Sequence, residues 1–322
     1  VLGEQSTHTL TIVDNDNQPT ANFSAASQSV SEGVGNVTFT VELSESSGLP
    51  ITIPYTVGGT ASSATDHNLS NGSISIAAGQ TSGSVTFAVT NDTAYENNET
   101  VVITMGSPTN ANAGVTDVQT VTITNNDAAP TVNFSAAAQN VSEVAGLVTI
   151  TISINTASGL DVTVPYTVAG TAFNIFDHDL DDDSVTIPAG AVSAVITFNV
   201  INDASYEASE TIIVTMGALT NGTAGATTTH TVTILDNGAA PTVNFSAASQ
   251  SVDEDDGTVT VTATLGVASS FIATIPYTVT GTASTTDDND LANGSITIAA
   301  GAVSGTKVFN VVDDTLDENN ET

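Results

Sequence analysis

Residues 202–210 read NDASYEASE, and the same frame returns as NDTAYENNE at 91–99 and DDTLDENNE at 313–321. In each copy three acids keep the spacing i, i+4, i+7: Asp92, Glu96 and Glu99; Asp203, Glu207 and Glu210; Asp314, Glu318 and Glu321. The step between copies is 111 residues, and other landmarks share it. NFSAA stands at 22–26, 133–137 and 244–248; IPYTV, VPYTV and IPYTV stand at 53–57, 164–168 and 275–279. A repeat of that length is a whole domain, not one rung of a solenoid.

Inside a unit the apolar residues alternate, as in Val37, Phe39, Val41, Leu43 and in Val85, Phe87, Val89. Period two places one face of a strand in a core. Thr, Val and Ile fill these runs, which Gly, Asn, Ser or Pro clusters interrupt. The first unit reads as strands near 20–25, 36–43, 51–57, 73–77, 83–90, 100–106 and 117–124. Seven strands in such a length predict an all-β fold of tandem immunoglobulin-like antiparallel sandwiches, without the cysteine pair or tryptophan of antibody domains.

The frame divides the chain at 1–18, 19–129, 130–240 and 241–322. Residues 1–16 match 112–127 and read as the last strand and linker of a preceding repeat, while Thr322 matches Thr100 as a sixth strand begins. The third repeat therefore lacks its last two strands in this chain. Two expectations follow: a piece of a longer array, or the strand around Thr9–Ile12 completing a neighbouring copy head to tail.

Composition bounds the partners. The chain has 322 residues, 35 Asp and Glu, the single cation Lys307, a formal charge of −34 and no cysteine. Nucleic acid and anionic membrane need Lys and Arg to meet phosphate, so both are excluded as expected partners. Thiolate metal sites and disulfides are impossible, and no apolar run is long enough to span a bilayer.

Chain direction sorts the acids. If every strand crosses the sandwich once, alternate connections and the domain's exit lie at one end. All acids except Glu4, Glu42, Glu45, Asp117 and Asp161 fall at such exit ends. Two like charges about 4 Å apart repel by roughly 4 kcal/mol at an effective dielectric near 20, against a domain stability of about 5–15 kcal/mol. Positive charge is required there, and hard divalent cations with oxygen ligands suit it. Calcium is preferred to magnesium because it accepts six to eight oxygens in irregular geometry.

These features resemble the Calx-β family, found in sodium–calcium exchangers, in integrin β4 and in bacterial surface proteins. VSE at 30–32 and 141–143 with VDE at 252–254, Gly59-Thr60-Ala61 followed by Asp66, the D-x3-E-x2-E loop and TIVDND at 11–16 carry the resemblance. It implies calcium ligands Glu32, Asp66, Asp92, Glu96, Glu99 and Asp127 in the first repeat, and Glu143, Asp177, Asp203, Glu207, Glu210 and Asp236 in the second. In the third it implies Glu254, Asp288, Asp314, Glu318 and Glu321, with Asp14 and Asp16 closing the preceding repeat. Asn125 stands where Asp14 and Asp236 stand, and Gly238 where Asp16 and Asp127 stand, so the resemblance sets no ion count per repeat.

The expected role is mechanical: a calcium-stiffened extracellular or cell-surface stalk, adhesin shaft or filament, prokaryotic in style, partnered by further copies of the repeat. The other reading is a recognition module for glycan, ice or a partner protein. No enzyme is expected, since the acids recur in every unit and no tryptophan is present to stack sugars. His67 and His178 read as loop packing because Asn289 replaces them; Tyr55, Tyr166, Tyr277, Phe23, Phe134 and Phe245 read as core.

Overall fold

A computed structural model describes residues 3–315 and 319–322. The first repeat is a sandwich built from β1 (Thr20–Phe23), β2 (Ser27–Ser31), β3 (Asn36–Leu43), β4 (Ile51–Gly59), β5 (Gly72–Ile76), β6 (Ser82–Ala88), β7 (Glu99–Met105), β8 (Asn112–Ala113) and β9 (Val118–Thr124). One sheet has the order β6-β3-β1-β8 and the other β2-β9-β7-β4-β5. The inward positions of both sheets are aliphatic or aromatic apart from the buried Gln119 of β9, and Phe39, Ile51, Ile53, Ile103 and Val121 are fully buried. Phe39 meets the Tyr55 ring edge-on at 5.4 Å between centroids.

The expected first strand is two strands. Ser24 N donates to Thr40 O in the first sheet, and two residues later Ala26 O accepts from Thr120 N in the second. The NFSAA motif is thus where the chain changes sheets, and the period-two pattern is broken there because the two faces exchange roles. β8 is a two-residue edge paired in parallel with β1, too short to register as alternation.

Neither addition disturbs the parity. β1 and β2 run the same way, β2 being parallel to β9, so the exits of β2, β4, β6 and β9 share one pole. Those exits carry Glu32, Asp66, Asp92 with Glu96, and Asp127 respectively.

The second repeat copies the first as β10 (Thr131–Phe134), β11 (Ala138–Ser142), β12 (Leu147–Ile154), β13 (Val162–Gly170), β14 (Asp183–Ile187), β15 (Ser193–Asn199), β16 (Glu210–Met216), β17 (Thr223–Ala224) and β18 (Thr229–Leu235). Its sheets have the orders β15-β12-β10-β17 and β11-β18-β16-β13-β14. The third repeat retains β19 (Val243–Phe245), β20 (Thr258–Leu265), β21 (Ala273–Tyr277), β22 (Gly294–Ile298) and β23 (Ser304–Asn310). They form sheets β19-β20-β23 and β21-β22.

The segment 249–253, matching β2, is not a strand because its partner in the other repeats is the last strand, which this stretch of chain does not contain. For the same reason Phe245 is 54 % exposed where Phe134 is 2 %, correcting the expectation that all three copies are core. Thr322 N nevertheless donates to Thr282 Oγ1 at 3.0 Å, as Thr100 N does to Thr60 Oγ1, so the sixth-strand frame holds to the last residue. The strand expected around Thr9–Ile12 is not formed: residues 3–18 are exposed and outside every sheet, with no partner strand here to supply ladder hydrogen bonds.

Contacts divide the chain into two compact units, one of 1–130 with 156–161 and 189–191, the other holding the remainder. Among the described residues no helix is long and apolar enough to cross a membrane.

Candidate metal centre

The exit pole of the first repeat gathers the implied acids into two triads, Glu32 with Asp92 and Asp127, and Asp66 with Glu96 and Glu99. Within each triad one carboxylate oxygen per residue lies within 4.8 Å of the others. A calcium ion about 2.4 Å from each donor spans oxygens up to about 4.8 Å apart, so each triad fits one ion. In the second repeat Asp177, Glu207 and Glu210 form one such triad. A cavity of about 10 Å³ lies against it, lined also by Glu143 and Asp236. Its counterpart in the first repeat has the same size and is lined by Glu32, Asp66, Glu96 and Glu99, with Asn125 in the place of Asp236. Each has room for about one water-sized sphere.

Local structure sets the donors. Glu32 and Glu143 begin single 3-10 turns that fold them inward, and both are nearly buried. Their Oε1 atoms accept from the backbone N–H of Asp92 at 3.2 Å and Asp203 at 2.9 Å, which ties the turn to the acidic loop. Asp66 and Asp177 are held by accepting the backbone N–H of Ser62 and Phe173, four residues earlier. Glu99 and Glu210 are the first residues of β7 and β16, and the sheet itself positions them.

The donor set also fits a cation electrostatically. Glu143 Oε2 and Asp127 Oδ2 are buried without a hydrogen-bond partner, an arrangement that is costly unless something positive meets them. Burial first, then the hydrogen bond to Asp66 and the charges of Asp66, Glu96 and Glu32, push Glu99 from 4.5 to about 7. Burial and Asp177 do the same to Glu210, also to about 7. Glu96, Glu207 and Glu32 are raised as well, chiefly by burial. All donors are oxygen, a set for a hard ion rather than for zinc or copper.

Other expected ligands are not assembled. Glu254 is exposed, unlike Glu32 and Glu143. Asp288 keeps the loop bond, accepting from Ser284 N–H. Glu318 lies outside the described residues, and no triad forms in the third repeat among those described. Asp14 and Asp16 are exposed, and Asp16 N donates to Asp14 Oδ1. In the second repeat Gly238 removes the counterpart of Asp127, which accounts for its single triad.

Several exit-end acids serve the backbone instead. Asp179 accepts from the N and Nδ2 of Asn199, which lower its pKa. Asp182 Oδ1 accepts from Val168 N at 2.6 Å, the position where Asn71 accepts from Val57 N and Asn293 from Val279 N. Charge polarity alone therefore overstated the site, since an amide performs the same task.

His67 and His178 pack as expected, each accepting at Nδ1 from the N–H two residues on, of Leu69 and Leu180. Asn289 Oδ1 accepts from Leu291 N in the same way.

Sequence reading did not find the contact made by the tyrosine of the first two acidic loops. Tyr206 N donates to Ala268 O and Tyr206 O accepts from Ser270 N, both at 3.0 Å, so the loop carrying Asp203 and Glu207 pairs with a loop of the following repeat. In the first unit Tyr95 O accepts from Gly159 N and Ser158 Oγ. The repetition of Tyr between two acids was the available signal.

Comparison with known proteins gives one family model, the Calx-beta domain, matching residues 14–127, 125–238 and 236–322. The mouse extracellular matrix organizing protein FRAS1 is 26 % identical over 259 residues, covering 74 % of this chain and 6 % of that protein. Thus the chain spans a small part of that relative's length. Among solved structures, CBD12 from CALX1.2 is 19 % identical, covering 67 % of this chain and 99 % of that one with a TM-score of 0.33. The apo-form Calx CBD1 domain is 23 % identical, covering 34 % of this chain and 100 % of that one, also with a TM-score of 0.33.

Proposed function

The chain belongs to the Calx-beta domain family, and from that premise we propose that it is an extracellular calcium-binding repeat array with a mechanical role, as a stalk, adhesin shaft or filament segment. The observation that carries the calcium reading is the gathering of acids from separate loops around buried, unpartnered oxygens at the same pole of the first two repeats. Glu32, Asp92 and Asp127 would hold one ion and Asp66, Glu96 and Glu99 another. In the second repeat Asp177, Glu207 and Glu210 would do so, with Glu143, Asp203 and Asp236 beside them. Bound calcium supplies the positive charge that lets these carboxylates ionise together at neutral pH.

The mechanical reading is supported by the tie between ion loop and next repeat through Tyr206 and Tyr95, and by the short linkers NNDAAP and DNGAAP. An extracellular setting is supported by the likeness to the extracellular matrix protein FRAS1.

The test is calorimetric titration of chelator-treated protein with calcium, together with thermal melting. At free calcium about a hundredfold above Kd, linkage predicts about 2.7 kcal/mol of stabilisation per site, so chelation lowers Tm by about 10–20 °C for domains of this size. Absence of heat and an unmoved Tm would reject the calcium reading.

A further inference from the structure

One loop sets the second repeat apart. Between Ala172 and Asp177 it carries Phe173, Asn174, Ile175 and Phe176, where the first repeat has Ser62, Ser63, Ala64, Thr65 and the third has Ser284, Thr285, Thr286, Asp287. Phe173, Ile175 and Phe176 are 69 %, 78 % and 75 % exposed. Three large apolar side chains at one tip, gaining nothing from the core, are an interaction surface rather than scattered exposure. Ile175 also holds a left-handed φ of 79°, a conformation that β-branched residues avoid. Neither fold nor packing requires these side chains, since the neighbouring repeats build the same turn with small polar ones.

Asn174 of the same loop lines an open cleft of about 470 Å³ together with Val168, Ala172, Leu180, Asp181 and Asp182 among others. Its lining is mixed, more polar than apolar, and includes the carboxylates of Asp181 and Asp182. Asp181, Asp182 and Asp183 occupy the positions of Ser70, Asn71 and Gly72 in the first repeat and of Ala292, Asn293 and Gly294 in the third. The backbone bond made by Asp182 is made by an asparagine in both neighbours, so its charge is surplus to that bond, while Asp181 Oδ1 accepts from Asn174 Nδ2 within the loop.

We infer that the 171–183 loop of the second repeat is a docking site for a basic protein segment, one that places Arg or Lys side chains beside apolar ones. Charge complementarity selects this occupant: the cationic heads of Arg or Lys match the carboxylates of Asp181 and Asp182, and their aliphatic stems with apolar neighbours cover the exposed Phe173, Ile175 and Phe176. An anionic membrane would meet the three consecutive acids head-on. Phe173 N–H donates to Asp177 and so anchors the loop at the triad, which is why the site is tested with calcium bound.

The experiment titrates the full chain, in saturating calcium and physiological salt, with a short peptide alternating Arg and Leu. Oligoarginine of equal charge and phosphatidylcholine–phosphatidylserine vesicles serve as comparison probes. Two variants borrow their residues from the first repeat, so the fold already accommodates them: Phe173→Ser/Ile175→Ala/Phe176→Thr, and Asp181→Ser/Asp182→Asn. The expected result is one-to-one binding of the Arg–Leu peptide, weakened about tenfold or more by either variant, the loss expected when one buried apolar side chain or ion pair is removed. Oligoarginine binds wild type and the apolar-tip variant alike. Equal binding of the Arg–Leu peptide to wild type and both variants overturns the inference, reducing the interaction to the chain's overall charge. So does a preference for vesicles that the tip variant abolishes.

Discussion

Glu99 and Glu210 are where the electrostatic argument becomes measurable. Each opens a strand, is largely covered, and faces an aspartate from another loop, so its carboxyl keeps a proton to about pH 7 instead of 4.5. A carboxyl whose folded pKa is raised contributes stability below its unfolded value that is lost as pH climbs through the folded value. Without calcium, the melting temperature therefore falls between about pH 4.5 and 7. Calcium cancels that fall because the ionised form is then the bound form. Differential scanning calorimetry at pH 5 and 7.5, with chelator and with calcium, reads both slopes; a calcium-free Tm that rises with pH contradicts the assignment.

Glu210→Gln separates charge from shape at the same position. The amide keeps the volume and removes the repulsion, so the calcium-free variant melts a few degrees higher at pH 7.5, about 1 kcal/mol. Its calcium affinity falls about tenfold or more, as expected when a charged ligand is lost. Loss of stability in both conditions would mean that Glu210 is a packing residue.

At the scale of elements, the glycine of each Gly-Thr-Ala motif connects strand to site. Gly170 ends β13 with φ at 135°, and a Cβ there would stand 1.9 Å from Thr211 O, next to Glu210. Gly59 repeats this with a φ of 119° and Thr100 O at 2.0 Å. The glycine lets the strand end press on the backbone that positions the acidic residue. Gly170→Ala is expected to cost about 2–4 kcal/mol, because both φ and the backbone contact forbid a side chain. Urea unfolding followed in the second repeat measures it, and a change below about 0.5 kcal/mol would show that β13 and β16 can slide apart freely. The sheet change at NFSAA belongs to this scale too. It lets β2 lie beside β9, which places Glu32 and Asp127 at one edge of one pole.

For the whole molecule, the consequence of interest is stiffness. Tandem domains joined by short linkers move relative to one another unless their junctions are held. Within the second unit, Tyr206 holds Ala268 and Ser270 from the same loop that supplies Asp203 and Glu207. Ordering that loop with an ion removes freedom from the junction as well. Small-angle scattering is therefore expected to show a narrower range of end-to-end distances with saturating calcium than with chelator. Identical profiles in the two conditions would leave calcium as a stabiliser of single domains only.

By itself the sequence determined the β-sandwich class, the 111-residue frame and the pole at which the acids collect, because strand alternation, tandem repetition and chain direction are all properties of the order of residues. Tertiary structure alone decided which acids face one another. Glu32 and Asp92 are 60 positions apart, and only the closed sandwich shows that they share a triad while Asp179 and Asp182 turn back to bond the backbone. Burial was equally out of reach of the pattern: Phe134 and Phe245 occupy the same place in the repeat, yet one is covered and the other half exposed. Whether a side chain leaves water depends on what packs over it, and that is settled by distant strands rather than by neighbours in sequence.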